Sequence, residues 1–244
     1  MKMFSLIRSF MAAIFYPFFL VLCSILTILV HFIFRNRNFD NNVVCFWGQA
    51  SCKMFGVDVE VLNKEKIPHG ACLYLFNHSS FFDIFAMHGW MRGVRFGAKI
   101  ELFSIPFFGA AMRGVGVLPI ARNNVEEVKK VYADAAERVA RGEKFALAPE
   151  GTRNPGEGLL SFKSGPFLFA LSTSMPIVPV VIHGAREILP KSDLLPNKDQ
   201  WYRKIQVEVL DPIDVQGYDP KNKKILMDQV YQKMNHCLMS KTQR

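Results

Sequence analysis

The clearest candidate for chemistry in this sequence is the run Asn-His-Ser-Ser-Phe-Phe-Asp from Asn77 to Asp83, which directly follows the apolar segment 71–76. Near neutral pH an imidazole can accept a proton, and a carboxylate beside it fixes the tautomer and stabilises the imidazolium. On one continuous helix His78 and Asp83 would be about 140° apart around the axis and would not meet. A turn at the two serines, with a helix beginning there, would bring the carboxylate back to the imidazole. The run therefore predicts a general base with its orienting acid.

Two other interpretations of this run stay open. Ser80 and Asp83 match the S-x-x-[DE] pattern, in which the acidic side chain only closes a helix capping box. The triplet that begins at Asn77 is formally a glycosylation sequon. A sequon is used only in a secreted chain, and the cysteines argue against secretion. There are five of them, an odd number, with no C-x-x-C pair. We therefore expect neither a disulfide framework nor a metal site.

A second polar run, Pro-Glu-Gly-Thr-Arg, ends at Arg153 and follows another apolar segment, residues 145–148. Gly151 permits close approach of the backbone, Thr152 offers a hydroxyl, and Arg153 can bind a phosphate or carboxylate through two hydrogen bonds. Lys163 adds a cation a few residues later. On the residues alone, this run is either a phosphate site or an ordinary polar turn.

The segment between the two runs is rich in phenylalanine and proline, with Lys99 before it and Arg122 after it. Apolar side chains with few charges suit a hydrophobic groove that these two cations would border. Burial in the core is the commoner fate of phenylalanine, however. Phe103, Phe107 and Phe108 are thus either groove or core residues.

The elements that must position these runs predict an α/β fold with a mixed, mostly parallel sheet flanked by helices. The clearest helix has apolar residues three and four positions apart from Val125 to Val139, with Asn123 or Asn124 as its N-cap and Gly142 at its C-terminal end. Residues 190–204 read as a surface loop. Strands are predicted at residues 57–62, 71–76, 115–121, 145–148, 177–183 and 205–210.

The N-terminal segment carries no charged residue between Arg8 and Arg35. One helix of this length would be about 39 Å long, enough to cross a hydrocarbon core of about 30 Å. If Pro17 breaks the helix, the remaining stretch is at the short limit for a span. A signal peptide or a buried core helix is the alternative, and basic residues on both sides leave the orientation open.

The segment 43–55 is apolar on much of its circumference and fits a second membrane-touching helix or a core helix equally well. We expect residues 1–55 to form a membrane-anchoring helical segment and residues 56–244 to form the α/β domain. Half of the 244 residues are hydrophobic, yet the net charge is +9. Anionic lipid explains this combination better than nucleic acid, which predicts clustered Lys and Arg with interleaved aromatics. We therefore expect no nucleic-acid partner.

The sequence contains no G-x-S-x-G, no P-loop and no H-E-x-x-H motif. Instead, its polar runs resemble, in order, those of the membrane-bound glycerolipid acyltransferases, specifically the 1-acyl-glycerol-3-phosphate acyltransferases. The similarity covers about residues 55–184. The four blocks are N-H-x-x-x-x-D from Asn77, K-x-E-L-x-x-x-P-x-x-G from Lys99 with Arg122 after it, E-G-T-R from Glu150 and P-x-x-P-V from Pro176.

This chain departs from the usual pattern of this family in two of the blocks. Ala148 stands where an aromatic residue commonly precedes Pro-Glu-Gly, and Phe81 and Phe82 are bulkier than the common pair inside the first block. Neither change removes a reactive group, but both could reshape the substrate groove.

The resemblance implies an acyltransferase in which His78 is the general base and Asp83 orients it. The free hydroxyl of 1-acylglycerol-3-phosphate would attack an acyl thioester directly and give phosphatidic acid, with no bound cofactor. The thioester would be on coenzyme A or on acyl carrier protein. The substrate-binding residues implied are Arg153 and Gly151 with Thr152, helped by Lys99 and Arg122, while Glu150 positions the loop.

The partners implied are therefore membrane lipid, lysophosphatidic acid and the acyl donor. The location implied is the cytoplasmic membrane, with the catalytic domain facing the cytoplasm. Two alternatives remain: a related acyltransferase acting on another lysophospholipid or a lyso-ornithine lipid, and a lipid-binding scaffold without turnover.

Overall fold

The computed structural model describes residues 2–242, which form one seven-stranded sheet and eight α-helices. Short 3₁₀ turns lie at Lys64–Lys66 and Ile100–Ser104. The strands are β1 Val57–Leu62, β2 Leu73–Phe76, β3 Val94–Lys99, β4 Leu118–Ile120, β5 Lys144–Leu147, β6 Ile177–His183 and β7 Arg203–Val209. The helices are α1 Lys2–Phe34, α2 Arg37–Met54, α3 Phe82–Trp90, α4 Phe108–Gly114, α5 Val125–Ala140, α6 Gly165–Thr173, α7 Ala185–Ile188 and α8 Lys223–Thr242.

The strand order is β1-β7-β6-β2-β5-β3-β4, and among these strands only the β6–β7 pair is antiparallel. The predicted α/β fold with a mostly parallel mixed sheet is confirmed. Because β2 to β6 all run in one direction, their carboxyl ends lie at the same edge of the sheet. Loops that follow these strands are therefore brought together, as in other open α/β sheets.

Helices cover both faces of the sheet, and alternate strand residues supply the two cores. Tyr74 and Phe76 of β2 point into the core under α1, α2, α3 and α7. Leu73 and Leu75 point into the opposite core, under α5, α6 and α8. Both faces of β2 are thus dry, which explains its nearly continuous apolar sequence.

The predicted strands at 57–62 and 177–183 have the bounds of β1 and β6, and the other predicted strands overlap β2, β4, β5 and β7. Strand β3 was not predicted because Arg95 and Lys99 interrupt its apolar pattern. Arg95 is nevertheless buried, since it donates to Asn41 Oδ1 at 2.8 Å and lies 3.5 Å from a Glu143 carboxylate oxygen. Helix α5 begins as predicted, with the Asn124 side chain accepting the Glu127 N–H.

Helix α1 passes through Pro17 without a break. Its inward stripe consists of small residues that pack against the domain, whereas its large apolar side chains point outward, the reverse of a helix on a water-soluble protein. Phe18 is 74% exposed and Leu22 is 65% exposed. The buried residues of this helix are Ser5, Ser9, Ala12, Cys23, Ser24 and Thr27.

The N-terminal end of α1 is held by Arg8. Its guanidinium donates to the carbonyl oxygens of Asn197 at 3.0 Å and Gln200 at 3.2 Å, and also to that of Trp201. The same guanidinium lies over the Trp201 ring, 5.0 Å from its centroid. The apolar helix is therefore fixed to the loop that precedes β7 and does not project away from the domain.

Helices α2 and α3 cross at Gly48 and Gly89, where their backbones nearly touch. A Cβ added to Gly48 would lie 2.6 Å from both the Gly89 nitrogen and the Phe85 carbonyl oxygen. This crossing fixes α3, whose first turn carries Asp83. The glycine therefore has a packing role that reaches the candidate site.

We expect Gly48→Ala to lower the free energy of unfolding by about 1–3 kcal/mol, because the added methyl group forces the two helix backbones apart. Chemical unfolding in detergent micelles measures this change. Gly70→Ala is the matched control, since a Cβ at Gly70 would meet no heavy atom within 4 Å. Equal midpoints for the two variants would contradict the proposed role of the crossing.

Candidate active site

The two polar runs meet because β2 and β5 are neighbours in the sheet, with Leu75 paired to Leu147. His78 lies just beyond the carboxyl end of β2, and Glu150 lies just beyond that of β5. The His78 N–H donates to Glu150 Oε1 at 3.0 Å, and the Asn154 N–H donates to the His78 carbonyl oxygen at 2.7 Å. The backbone N–H and carbonyl oxygen of His78 are therefore held by the second run and by Asn154, the residue that follows it.

The His78 and Asp83 side chains form a hydrogen-bonded pair, with Nδ1 and Oδ2 2.9 Å apart. Asp83 is fully buried, and Oδ2 also accepts the N–H groups of Ser79 at 2.7 Å and Ser80 at 2.8 Å. Asp83 Oδ1 is buried and has no hydrogen-bond partner within residues 2–242. Because the carboxylate engages Nδ1, the other ring nitrogen, Nε2, is available to a substrate proton.

The structure supports only part of the capping-box interpretation of this run. The Ser80 N–H donates to Asp83, which is one half of a capping box. The other half is missing, because Ser80 Oγ donates to the Leu189 carbonyl oxygen at 3.0 Å and accepts the Phe82 N–H at 3.3 Å. Asp83 therefore accepts hydrogen bonds from the turn that precedes α3 and also faces the imidazole.

Asn77 holds the turn against β6. Its Nδ2 donates to the Ile182 carbonyl oxygen at 3.0 Å, and its Oδ1 accepts the Ile182 N–H at 2.7 Å. The amide is buried and uses both its donor and acceptor functions on the backbone. This structural role was not part of the sequence prediction, and a polar side chain after an apolar strand was the only signal for it.

Glu150 is a buried brace between two loops. Oε1 accepts the His78 N–H, and Oε2 accepts the Leu160 N–H at 2.8 Å. Burial raises the pKa of Glu150, and the two backbone N–H groups oppose that rise by stabilising the carboxylate. Glu150 thus joins the His78 turn to the segment at Leu160, and its role in positioning the loop stays a prediction.

Arg153 reaches back over the first run. Its guanidinium carbon lies 4.3 Å above the centroid of the Phe81 ring, within cation–π distance. Gly151 has a φ of +71°, which favours glycine. Thr152 Oγ1 lies 3.5 Å from Lys191 Nζ. One guanidinium, one hydroxyl and one ammonium thus gather beside the His78–Asp83 turn.

Lys99 and Arg122 lie at the same sheet edge but farther along it. Lys99 ends β3 and Arg122 follows β4, which are two and three strands from β2, or about 10 and 14 Å at about 4.8 Å per strand. The Lys99 ammonium pairs with Glu101 at 3.1 Å. The strands that lead to these two cations are therefore two and three places away from the strand that leads to the imidazole.

The phenylalanines between them divide between core and surface. Phe103 is buried with Met112 and Val115, and Phe108 packs partly against the same cluster. Phe107 is 51% exposed, with a positive φ of +60°. The core interpretation holds for Phe103, and only part of the segment remains for a groove.

Similarity to known proteins shows the family of this chain. The profile of the Acyltransferase family matches residues 58–183, more than half of the chain, including His78, Asp83 and the run from Glu150 to Arg153. The chain belongs to the acyltransferase family.

Several relatives carry a more specific name. A 1-acyl-sn-glycerol-3-phosphate acyltransferase of Haemophilus influenzae is 31% identical over 218 residues, which cover 84% of this chain and 86% of that protein. A chloroplastic 1-acyl-sn-glycerol-3-phosphate acyltransferase of Brassica napus is 31% identical over 63% of this chain. This chain spans 45% of that longer protein.

A solved structure shares the fold. The crystal structure of the 1-acyl-sn-glycerophosphate (LPA) acyltransferase PlsC from Thermotoga maritima superposes with a TM-score of 0.81 at 23% sequence identity. The superposition covers 100% of this chain and 99% of that one, so the similarity includes the N-terminal helices.

We expect Glu150→Ala to lower the free energy of unfolding by about 1–3 kcal/mol, because two partly buried N–H groups lose their acceptor. Thermal and chemical unfolding measure the loss. Glu157→Ala, at an exposed position in the same loop, is the matched control and should stay within about 0.5 kcal/mol of the wild type. A stable Glu150→Ala protein would mean that the brace is dispensable.

Proposed function

We propose that this chain transfers an acyl group from a thioester to the free hydroxyl of 1-acylglycerol-3-phosphate and so makes phosphatidic acid. The observation that carries the proposal is the His78–Asp83 pair at the carboxyl edge of β2, with Arg153 beside it. The names of the relatives in this family support the acceptor.

The proposed reaction is a direct transfer. His78 Nε2 accepts the hydroxyl proton while the oxygen attacks the thioester carbonyl carbon and forms the new C–O bond. The C–S bond then breaks, and the protonated imidazole returns its proton to the departing thiolate. Asp83 stabilises the imidazolium that forms between these steps and holds Nδ1 in place.

The polar loop after β5 would hold the acceptor phosphate. Arg153 can donate two parallel hydrogen bonds to phosphate oxygens, and Thr152 and the open backbone at Gly151 lie next to it. Glu150 keeps this loop against His78. Lys99 and Arg122, farther along the edge, are proposed as helpers that attract the anionic substrates.

The acyl donor is proposed to be acyl-coenzyme A or acyl carrier protein, and such a transfer requires no resident cofactor or metal. Both donors are acidic, which suits a chain of net charge +9. A related acceptor, such as another lysophospholipid or a lyso-ornithine lipid, is the alternative that the assay below distinguishes.

We also propose that residues 1–55 anchor residues 56–244, the catalytic domain, at the cytoplasmic side of the cytoplasmic membrane. Within residues 2–242, α1 is the one helix long and apolar enough to cross a bilayer by length and composition. Its inward stripe is occupied by the domain, so its outward face is the part free to contact lipid. Acyl chains would then reach the site from the bilayer.

We expect His78→Ala to slow acyl transfer by about 10²–10⁴-fold, the usual contribution of a general base. The assay is thiol release from both donors with lysophosphatidic acid as acceptor and purified protein in detergent. His69→Ala, an exposed histidine outside the site, should retain the wild-type rate.

Three results would change the proposal. A full rate in a folded His78→Ala protein would remove the assigned base. Equal or faster transfer to a lyso-ornithine lipid would favour the alternative acceptor. Tight lipid binding without any thiol release would favour a scaffold.

We expect the double variant Phe18→Asp/Leu22→Asp to bind vesicles of anionic phospholipid at least about tenfold more weakly, because two large apolar side chains leave the bilayer. Co-sedimentation measures the binding. The matched control is Ile225→Asp/Met239→Asp, which changes two exposed apolar residues on α8. If both double variants bind equally well, the outward face of α1 is not the contact surface.

A further inference from the structure

Lys191 lies beside the phosphate-binding loop although it is 38 residues from Arg153 in the sequence. Its Nζ donates to the Arg153 carbonyl oxygen at 3.0 Å and lies 3.5 Å from Thr152 Oγ1. It belongs to the segment between α7 and β7, which the sequence indicated only as a surface loop. The contact places an ammonium group on the loop proposed to hold the acceptor.

The backbone that carries Lys191 is fixed to the catalytic turn. Two residues earlier, the Leu189 carbonyl oxygen accepts the Ser80 hydroxyl at 3.0 Å. The Asn197 N–H donates to the Ile188 carbonyl oxygen at 2.7 Å, and Asn197 Nδ2 donates to the Phe55 carbonyl oxygen at 2.9 Å. Lys191 therefore extends from an anchored segment, which limits where its ammonium group can lie.

A chain of contacts leads from the turn at Ser80 to Arg153 and back. The Ser80 hydroxyl donates to the Leu189 carbonyl oxygen, Lys191 lies two residues after Leu189, and its ammonium group donates to the Arg153 carbonyl oxygen. The Arg153 guanidinium in turn lies over Phe81, the residue next to Ser80. Both cations are thus fixed relative to His78 through the same turn.

We propose that Lys191 is a second cation for the acceptor phosphate and selects a phosphate monoester over a diester. This inference rests on the proposed function. A monoester carries a charge between about −1.5 and −2 at pH 7, whereas a diester carries only one negative charge. One guanidinium balances the diester, and the second cation favours the more highly charged monoester. The ammonium has three N–H donors, and its two protein acceptors leave one for a phosphate oxygen.

Lys163 is another cation near this loop, but its contact differs. A Cβ added at Gly151 would lie 3.5 Å from Lys163 Cγ, so the apolar stem of Lys163 lies against that glycine. Lys191 instead contacts the loop through its charged nitrogen. The geometry therefore favours Lys191 as the residue that adds charge at the phosphate.

The test compares Lys191→Gln, Lys191→Arg and Lys191→Met in steady-state assays. Lysophosphatidic acid is the monoester acceptor, and lysophosphatidylglycerol is the diester acceptor. Lys191→Gln should raise KM for the monoester about tenfold with little change in kcat, since one charge-assisted hydrogen bond is lost. The change for the diester should be about twofold or less, and Lys191→Arg should stay near the wild type.

The control is Lys198→Gln, which removes a lysine of the same loop whose ammonium pairs with Asp193 at 2.8 Å. It should leave both KM values unchanged. Unfolding midpoints of all variants establish that each one is folded.

A purely structural brace gives a different pattern and would overturn the proposal. Glutamine keeps an N–H donor for the Arg153 carbonyl oxygen, so a structural brace predicts wild-type KM values for Lys191→Gln. Methionine has no such donor, so a brace predicts that Lys191→Met impairs the reaction with both acceptors equally. Equal KM changes for monoester and diester would also refute the selectivity.

A binding measurement separates this proposal from the proposed reaction. Calorimetric titration with sn-glycerol 3-phosphate, a soluble monoester, needs no turnover. Weaker binding by Lys191→Gln than by Lys198→Gln supports the second cation even if lysophosphatidic acid is not acylated. Equal binding by the two variants would overturn it even if the wild-type enzyme makes phosphatidic acid.

Discussion

The fully buried Asp83 oxygen Oδ2 is the point on which the candidate site depends. A buried carboxylate is tolerated only when donors surround it, and here the donors are the N–H groups of Ser79 and Ser80 and the ring nitrogen of His78. These hydrogen bonds stabilise the turn between β2 and α3, and they hold the imidazole against the carboxylate. The structural role and the proposed chemical role of Asp83 therefore depend on the same oxygen atom.

The second requirement is that β2 and β5 are adjacent. Their pairing brings the turn at His78 and the loop at Glu150 to one edge, and Glu150 then joins them through the His78 N–H. A charged brace inside the protein has a desolvation cost, which is why burial raises its pKa. Two backbone hydrogen bonds offset that cost and hold the loop with Arg153 in position.

The third feature is the reversed polarity of α1. Small side chains pack inward and large apolar ones point outward, while Arg8 fixes the helix to the segment that ends near Trp201. That segment continues back to Lys191 and Leu189, which contact the loop and the turn of the site. The proposed membrane surface and the proposed site thus share one continuous stretch of chain.

The sequence by itself determined the α/β class, the bounds of β1 and β6, and the residue types that could move a proton or hold a phosphate. It also predicted the apolar stripe of α5, although Val125 at its start is 67% exposed, and it left the N-cap open between Asn123 and Asn124. These predictions follow from local periodicity and from side-chain chemistry, which a short window contains. Local signals were insufficient for β3, because the buried Arg95 is stabilised by Asn41 and Glu143 from distant segments. They were also insufficient at Pro17, where helix α1 continues.

The sequence predicted that His78 and Asp83 meet, but only the tertiary structure decided which residues of other segments lie beside them. Strand order places β5 beside β2 and moves Lys99 and Arg122 farther along the edge, while the segment after α7 brings Lys191 onto the Arg153 loop. The physical reason is that strand order and loop docking depend on burying all apolar faces at once. No single segment carries that information. The residue types suited to proton transfer and phosphate binding were therefore visible in the sequence, whereas the contacts between separate segments were not.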